Sequence, residues 1–234
     1  MVRFLLIAAL AGLGSLPGQA QGIIGDVLSG KLVKPKPGVW AWYDLTDKTE
    51  GKRYFLRQAI VGEERVKRKD GYWVETEVVP QVGYPAIYKM LLTGPASDPK
   101  HVHRVLLQEG RNPVQEIPVD PDAKAEKEKD VDQTSLGKEE MALPDGKQLE
   151  AEHLQVKAGG QVTDIWVSDA VPPMGIVRLV SPEGELVLRR YGEGGRDGES
   201  AIGRALPAPE QEEEVKVQVN GGISTNISVG GKGP

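Results

Sequence analysis

From Gly38 onward the chain alternates apolar and polar residues with a period of two. Trp40 and Trp42 share one face of VWAWYDL. Tyr54, Leu56 and Ile60 share one face of RYFLRQAIV, with Phe55 and Val61 making its other face partly apolar. GYWVETEVV sets Tyr72, Val74 and Val78 against Trp73, Glu75 and Glu77. AIYKMLL and VHRVLLQ follow, separated by the breakers Gly94-Pro95 and Asp98-Pro99. The second half returns to the same rhythm in KQLEAEHLQVK, QVTDIWVS, GIVRLV and ELVLRRY. Period-two patterning, β-branched and aromatic enrichment and short connections predict about nine strands in an antiparallel meander.

Residues 164–192 carry the sharpest local signal. Three short apolar runs are joined by Val171-Pro172-Pro173-Met174-Gly175 and by Ser181-Pro182-Glu183-Gly184. Stiff prolines and a permissive glycine between strands predict turns of defined geometry. Asp169, just before the prolines, is the expected turn-former. The basic run Arg65-Val66-Lys67-Arg68-Lys69 precedes Asp70-Gly71 and reads as a solvated hairpin tip with its turn at that dipeptide.

Four segments break the rhythm. Residues 21–37 read as a leader segment with one short helix over residues 23–28. Residues 117–140 alternate acidic and basic side chains and predict a charged excursion between two halves of one sheet, with a short exposed helix over residues 123–131 or a solvated loop. Lysines interrupt its carboxylates, and no glycine stands at the sharp-turn position of an EF-hand. Residues 193–214 are rich in Gly, Pro and Glu and read as a linker. Residues 215–234 alternate around Asn220-Gly221-Gly222, the pattern of a terminal hairpin or a flexible tail. The antiparallel β domain is therefore expected over residues 38–192.

Composition then sets the compartment. Arg3, the apolar run over residues 4–13 and the small residues ending at Ala20 have the form of a signal peptide, residues 1–20, cleaved near Ala20. That run is shorter than the roughly 20 apolar residues a bilayer span needs, and no later stretch reaches that length. A periplasmic or secreted bacterial protein is expected, with no transmembrane segment in the mature chain. The chain has no cysteine, so disulfides and a lipidated cysteine anchor are excluded. The net charge is −5 and no basic face is interleaved with aromatics, which argues against nucleic acid as a partner.

Candidate chemistry is thin. His101 and His103 are two residues apart, which on a strand puts both imidazoles on one face. With His153 as a third ligand they would seat zinc, but two surface histidines are the plainer reading and no metal site is assigned. No GxSxG elbow surrounds Ser168. Asp164 and Asp169 point to opposite faces of a strand at their spacing, so they form no acid-base pair. No catalytic residue and no cofactor is assigned. Trp40, Trp42, Trp73 and Trp166 all fall on predicted strands. On one concave face they would line an apolar groove for an acyl chain or a lipidated partner; the plainer alternative places them in the core.

The run WVSDAVPPMGIVRLVSPEGELVLRRYG, with YWVETEV and YPAIYKMLLTG upstream, resembles the C-terminal half of bacterial periplasmic proteins related to the LolA/LolB lipoprotein-carrier fold. By architecture the resemblance spans residues 38–192. It implies a mainly β, curved antiparallel sheet, an unclosed half-barrel with one or two covering helices. It also implies a non-catalytic protein that binds a lipid, a lipidated protein or another envelope component. It carries over no functional residue. The rival readings are an interaction module that engages an envelope complex through its C-terminal tail and, third, a hydrolase or metalloenzyme.

Overall fold

Eleven antiparallel strands form one sheet in this computed structural model, which describes residues 32–120, 132–158 and 160–204. The strands are β1 (Val39–Asp47), β2 (Arg53–Val66), β3 (Lys69–Pro80), β4 (Ala86–Leu92), β5 (Val102–Glu109), β6 (Gln115–Ile117), β7 (Asp132–Ala142), β8 (Gln148–Ala158), β9 (Gln161–Val167), β10 (Ile176–Val180) and β11 (Gly184–Glu193). Their order is β6-β5-β4-β3-β2-β1-β11-β10-β9-β8-β7. The chain starts at the centre, meanders out to β6, resumes at the far edge with β7 and meanders back until β11 pairs with β1. The sheet is unclosed: β6 and β7 do not pair.

Cross-strand register sorts the side chains. Tyr43 lies opposite Leu56, Leu56 opposite Val78, and Val78 opposite Ala86, so these four share a face. That face, called inner here, is buried. It carries Ala41, Leu45, Ile60, Val74, Met90, Leu92, Leu107, Leu179 and Leu186, and these belong to one apolar cluster. Sheets of this many strands curl or split rather than stay flat. A slip of one residue would turn the whole inner set outward, so this register is strongly specified.

The outer face is covered in its central part by residues 194–204, which leave β11 and cross back over the sheet. The Arg57 guanidinium, fully buried on the outer face, donates through Nη1 to the carbonyls of Asp197 (2.7 Å) and Glu199 (3.2 Å). It also pairs with Glu75, equally buried, and through Nε with Glu77 at 2.8 Å. Glu75 accepts from the Ser200 hydroxyl (2.5 Å) and the Ala201 amide (2.7 Å). Gly203 N–H reaches the Gln108 side-chain carbonyl on β5 at 3.0 Å. Gly198 is tight against β1, where a Cβ would collide with the Gly38 carbonyl oxygen.

Several sequence expectations need correction. Residues 194–204 are not linker; they form a strap bound to the sheet. The covering helices are not found among the described residues, where only 3-10 turns at Pro99–His101 and Arg196–Gly198 occur. Few segments have helical periodicity, and the strap covers part of the outer face instead. Residues 132–140 of the charged excursion are strand, not loop or helix, because β7 pairs with β8 along its length. β7 can stay polar because it is an edge whose side chains are almost all exposed, and its charges and the bulge at Ser135/Gly137 disfavour further pairing. The β2–β3 turn sits at Lys67 and Arg68, both at positive φ (46° and 73°), and not at Asp70-Gly71. Gly71 is needed in the strand, since a Cβ there would press on the Glu64 carbonyl at 2.9 Å. Ser168, not the exposed Asp169, organises the double-proline turn: its carbonyl accepts from Val171 N–H (3.1 Å) and its N–H donates to Gly175 (2.7 Å). The signal peptide, the helices expected over residues 23–28 and 123–131 and the terminal hairpin lie outside the described residues.

Removing one member of a buried ion pair costs about 3–5 kcal/mol because the other charge is left in a low dielectric. Glu75→Leu is therefore expected to lower the stability read from urea denaturation by about that amount. It should also raise amide exchange in residues 194–204, which lose their acceptor.

Candidate functional site

The inner face is not uniformly apolar. Gln58, Thr76 and Tyr88 occupy neighbouring strands directly opposite one another, Gln58 against Thr76 and Thr76 against Tyr88. Gln58 and Thr76 are 0% exposed and Tyr88 is 2% exposed. Gln58 Oε1 and Nε2, Thr76 Oγ1 and Tyr88 Oη all lack a hydrogen-bond partner. Tyr43, two residues along β1 from the position opposite Gln58, is also fully buried with an unpartnered hydroxyl. Burial pushes the Tyr43 and Tyr88 hydroxyls well above the ordinary tyrosine range, an effect the Glu109 carboxylate adds to at Tyr88. A buried polar group without a partner costs about 1–3 kcal/mol. Folded chains keep few such groups, so a row of them needs an explanation.

The contrast with the outer face at the same rungs is direct. Arg57 adjoins Gln58, and Glu75 and Glu77 flank Thr76. Those outward groups are fully engaged by the strap and by each other. Lys89, next to Tyr88, reaches the Ser200 hydroxyl at 3.4 Å. One side of three adjacent strands satisfies its buried polar groups, and the other side leaves them open. The row has the chemistry of a hydrogen-bonding site: amide donor and acceptor from Gln58, and hydroxyls that do either from Thr76, Tyr88 and Tyr43.

The four tryptophans do share a face, but it is the outer one. Trp42 lies opposite Arg57 and Arg190, and Trp73 opposite Leu91, all outward. All four are half-buried, and Trp166 packs against the margin of the core cluster. Each of three is capped by a cation and hydrogen-bonded through its indole. Trp40 packs on Gly192 under Arg190 and donates to the Gly194 carbonyl at 2.9 Å. Trp73 lies under Lys89 and Arg104 and donates to Glu64 at 3.1 Å. Trp166 lies under Arg178 and donates to Glu139 at 3.0 Å. Long cationic side chains covering aromatic faces keep an exposed sheet surface wettable. Period-two spacing put Trp40 and Trp42 on one face of β1; the registers of β3 and β9 add Trp73 and Trp166 to it.

The histidines do not converge. His101 ends the 3-10 turn before β5 and His103 is on β5, and Thr93 Oγ1 contacts His101 Nδ1 (3.3 Å) and His103 Nε2 (2.8 Å). Burial, and after it the Lys67 charge, depresses the His103 imidazole below its usual range. His153 is on β8, in the other arm of the sheet. Its nitrogens face Glu139 Oε1 and Asp164 Oδ1, each at 3.0 Å, and its ring stacks on Trp166 with centroids 4.1 Å apart. This cluster fastens the edge strand β7 across β8 to β9. Both imidazole nitrogens are already taken by carboxylates.

No family model matches this chain, and no curated protein is similar to it. The orphan row was hidden in the sequence: Gln58 and Thr76 fall at inward positions of strands whose alternation is otherwise apolar. Read strictly by parity, those two interruptions were the available signal.

The Trp166 indole, and after it His153, holds the Glu139 carboxyl below the usual carboxylate range. A lowered carboxyl contributes stability above its unfolded pKa and loses it as the pH falls through the folded value. Trp166→Phe removes the first donor, so the Glu139 carboxyl should titrate at higher pH, as followed by NMR of its side-chain resonances. Amides of β7 should exchange faster in the same variant.

Proposed function

We propose that this chain is a non-catalytic binding protein of the bacterial periplasm that takes a lipid or other hydrophobic envelope ligand, free or as the acyl group of a lipidated protein, against the inner face of its sheet. One observation carries the reading. An unclosed sheet gathers a continuous apolar face and, within it, a row of buried polar side chains that the fold itself leaves without partners. Apolar walls with a few convergent polar groups are the usual composition of a small-ligand site. The leader-like residues 1–20 support the compartment, and the absence of cysteine is compatible with it.

Burial of acyl methylenes supplies the affinity. At about 0.8 kcal/mol for each methylene, a ten-carbon chain contributes about 7 kcal/mol before the cost of association. A fluorescent fatty-acid analogue is expected to bind saturably, with one site. It should be displaced by unlabelled medium-chain lipids. Linear, unsaturable partitioning would count against the proposal.

A further inference from the structure

We infer that the row Gln58–Thr76–Tyr88, with Tyr43, is the head-group site of the inner face, and that it selects a neutral, hydroxyl-bearing amphiphile of the monoacylglycerol type over a fatty-acid anion. The inference rests on the binding reading above and adds the chemistry of the ligand's polar end.

Three features argue for it. The first is number and placement: three side chains on adjacent strands stand directly opposite one another on one face, all sealed and all unpartnered. A single orphan is an ordinary defect; an aligned row offers both donors and acceptors to one polar group lying across the strands. The second is charge. Among the described residues the inner face carries no buried cation. The Arg57 guanidinium points outward and is saturated by Glu75, Glu77 and two strap carbonyls. The buried charged group at an inward position of β1 is Asp47, whose Oδ1 accepts from the Thr49 and Glu50 amides while Oδ2 is unpartnered. A carboxylate placed at the row would lose its hydration with no counter-charge to replace it. A glycerol ester brings hydroxyl donors, hydroxyl and carbonyl acceptors, and no charge. The third is cost. Unsatisfied groups lower stability, and sites built for function commonly retain that cost. Arg57, Glu75 and Glu77, which adjoin the row on the outer face of the same strands, are all engaged.

Access follows from topology. The row is closed to solvent, while the edges β6 and β7 are not hydrogen-bonded to one another, so the acyl chain enters where the sheet has no pairing to break.

The test uses calorimetric titration of the full mature chain with 1-monodecanoylglycerol and with decanoate, on wild type and on Thr76→Val, Gln58→Leu and Tyr88→Phe. The thermal midpoint of each unliganded protein is measured alongside. These substitutions nearly keep side-chain volume and delete orphan polar atoms, so the unliganded midpoints should stay level or rise, which shows that the variants fold. Wild type should bind the monoacylglycerol at least tenfold more tightly than decanoate. Each variant should lose at least fivefold in monoacylglycerol affinity, shrinking that preference. Equal affinities in wild type, a preference for decanoate, or variants that keep the full preference would overturn the head-group inference and leave the hydrophobic-ligand reading standing. No saturable binding of either probe, with stabilised variants, would overturn both.

Discussion

The buried pair of Arg57 and Glu75 is the interaction on which the rest of this structure depends. A guanidinium and a carboxylate at zero exposure are tolerable only when every donor and acceptor is met, since each ion loses several kcal/mol of hydration on burial. Here Glu77, the Ser200 hydroxyl, the Ala201 amide and two strap carbonyls complete the set. The pair thereby does three things at once. It fixes the register of β2 against β3, because a one-residue slip would drive Arg57 into the apolar face. It ties residues 194–204 to the sheet. It also determines which residues of the same rungs point inward, namely Gln58 and Thr76.

The two sides of these strands then have opposite character. Outward, the polar groups of β2, β3 and β4 bond to the strap and to one another, and Trp40, Trp73 and Trp166 are covered by arginines and lysines. Inward, an apolar face surrounds a polar row with no internal partners. A sheet with one main core face has little freedom to hide a mismatch, because the apolar inward positions of its central strands contribute to the same cluster. Valine at the position of Thr76 or leucine at that of Gln58 would fill the same space without an unmet hydrogen bond. The presence of polar residues there is what a hydrogen-bonding occupant of the inner face explains.

Much of the fold was legible in the sequence. Alternation located β1 to β5 and β8 to β11, and the turn residues between positions 164 and 192 marked the β9-β10-β11 meander. What failed did so for physical reasons. β7 was hidden because an edge strand with solvent on both faces needs no alternation. The strap was read as linker because its glycines and charges look solvated, yet Gly198 is there for close backbone contact and its carbonyls are acceptors for Arg57. The turn at Lys67 and Arg68 was displaced by three residues from the stronger-looking Asp70-Gly71, whose glycine serves the strand. The tryptophans were legible as strand residues, but their side of the sheet depends on which face the Arg57 network occupies.

The most direct measurement is a high-resolution crystal structure of the wild-type protein purified from a bacterial periplasm without delipidation. The account predicts elongated non-protein density along the inner face, ending within hydrogen-bond distance of Gln58, Thr76 and Tyr88. Finding those side chains bonded to one another, or to isolated waters alone, with the apolar face filled by protein, would contradict it.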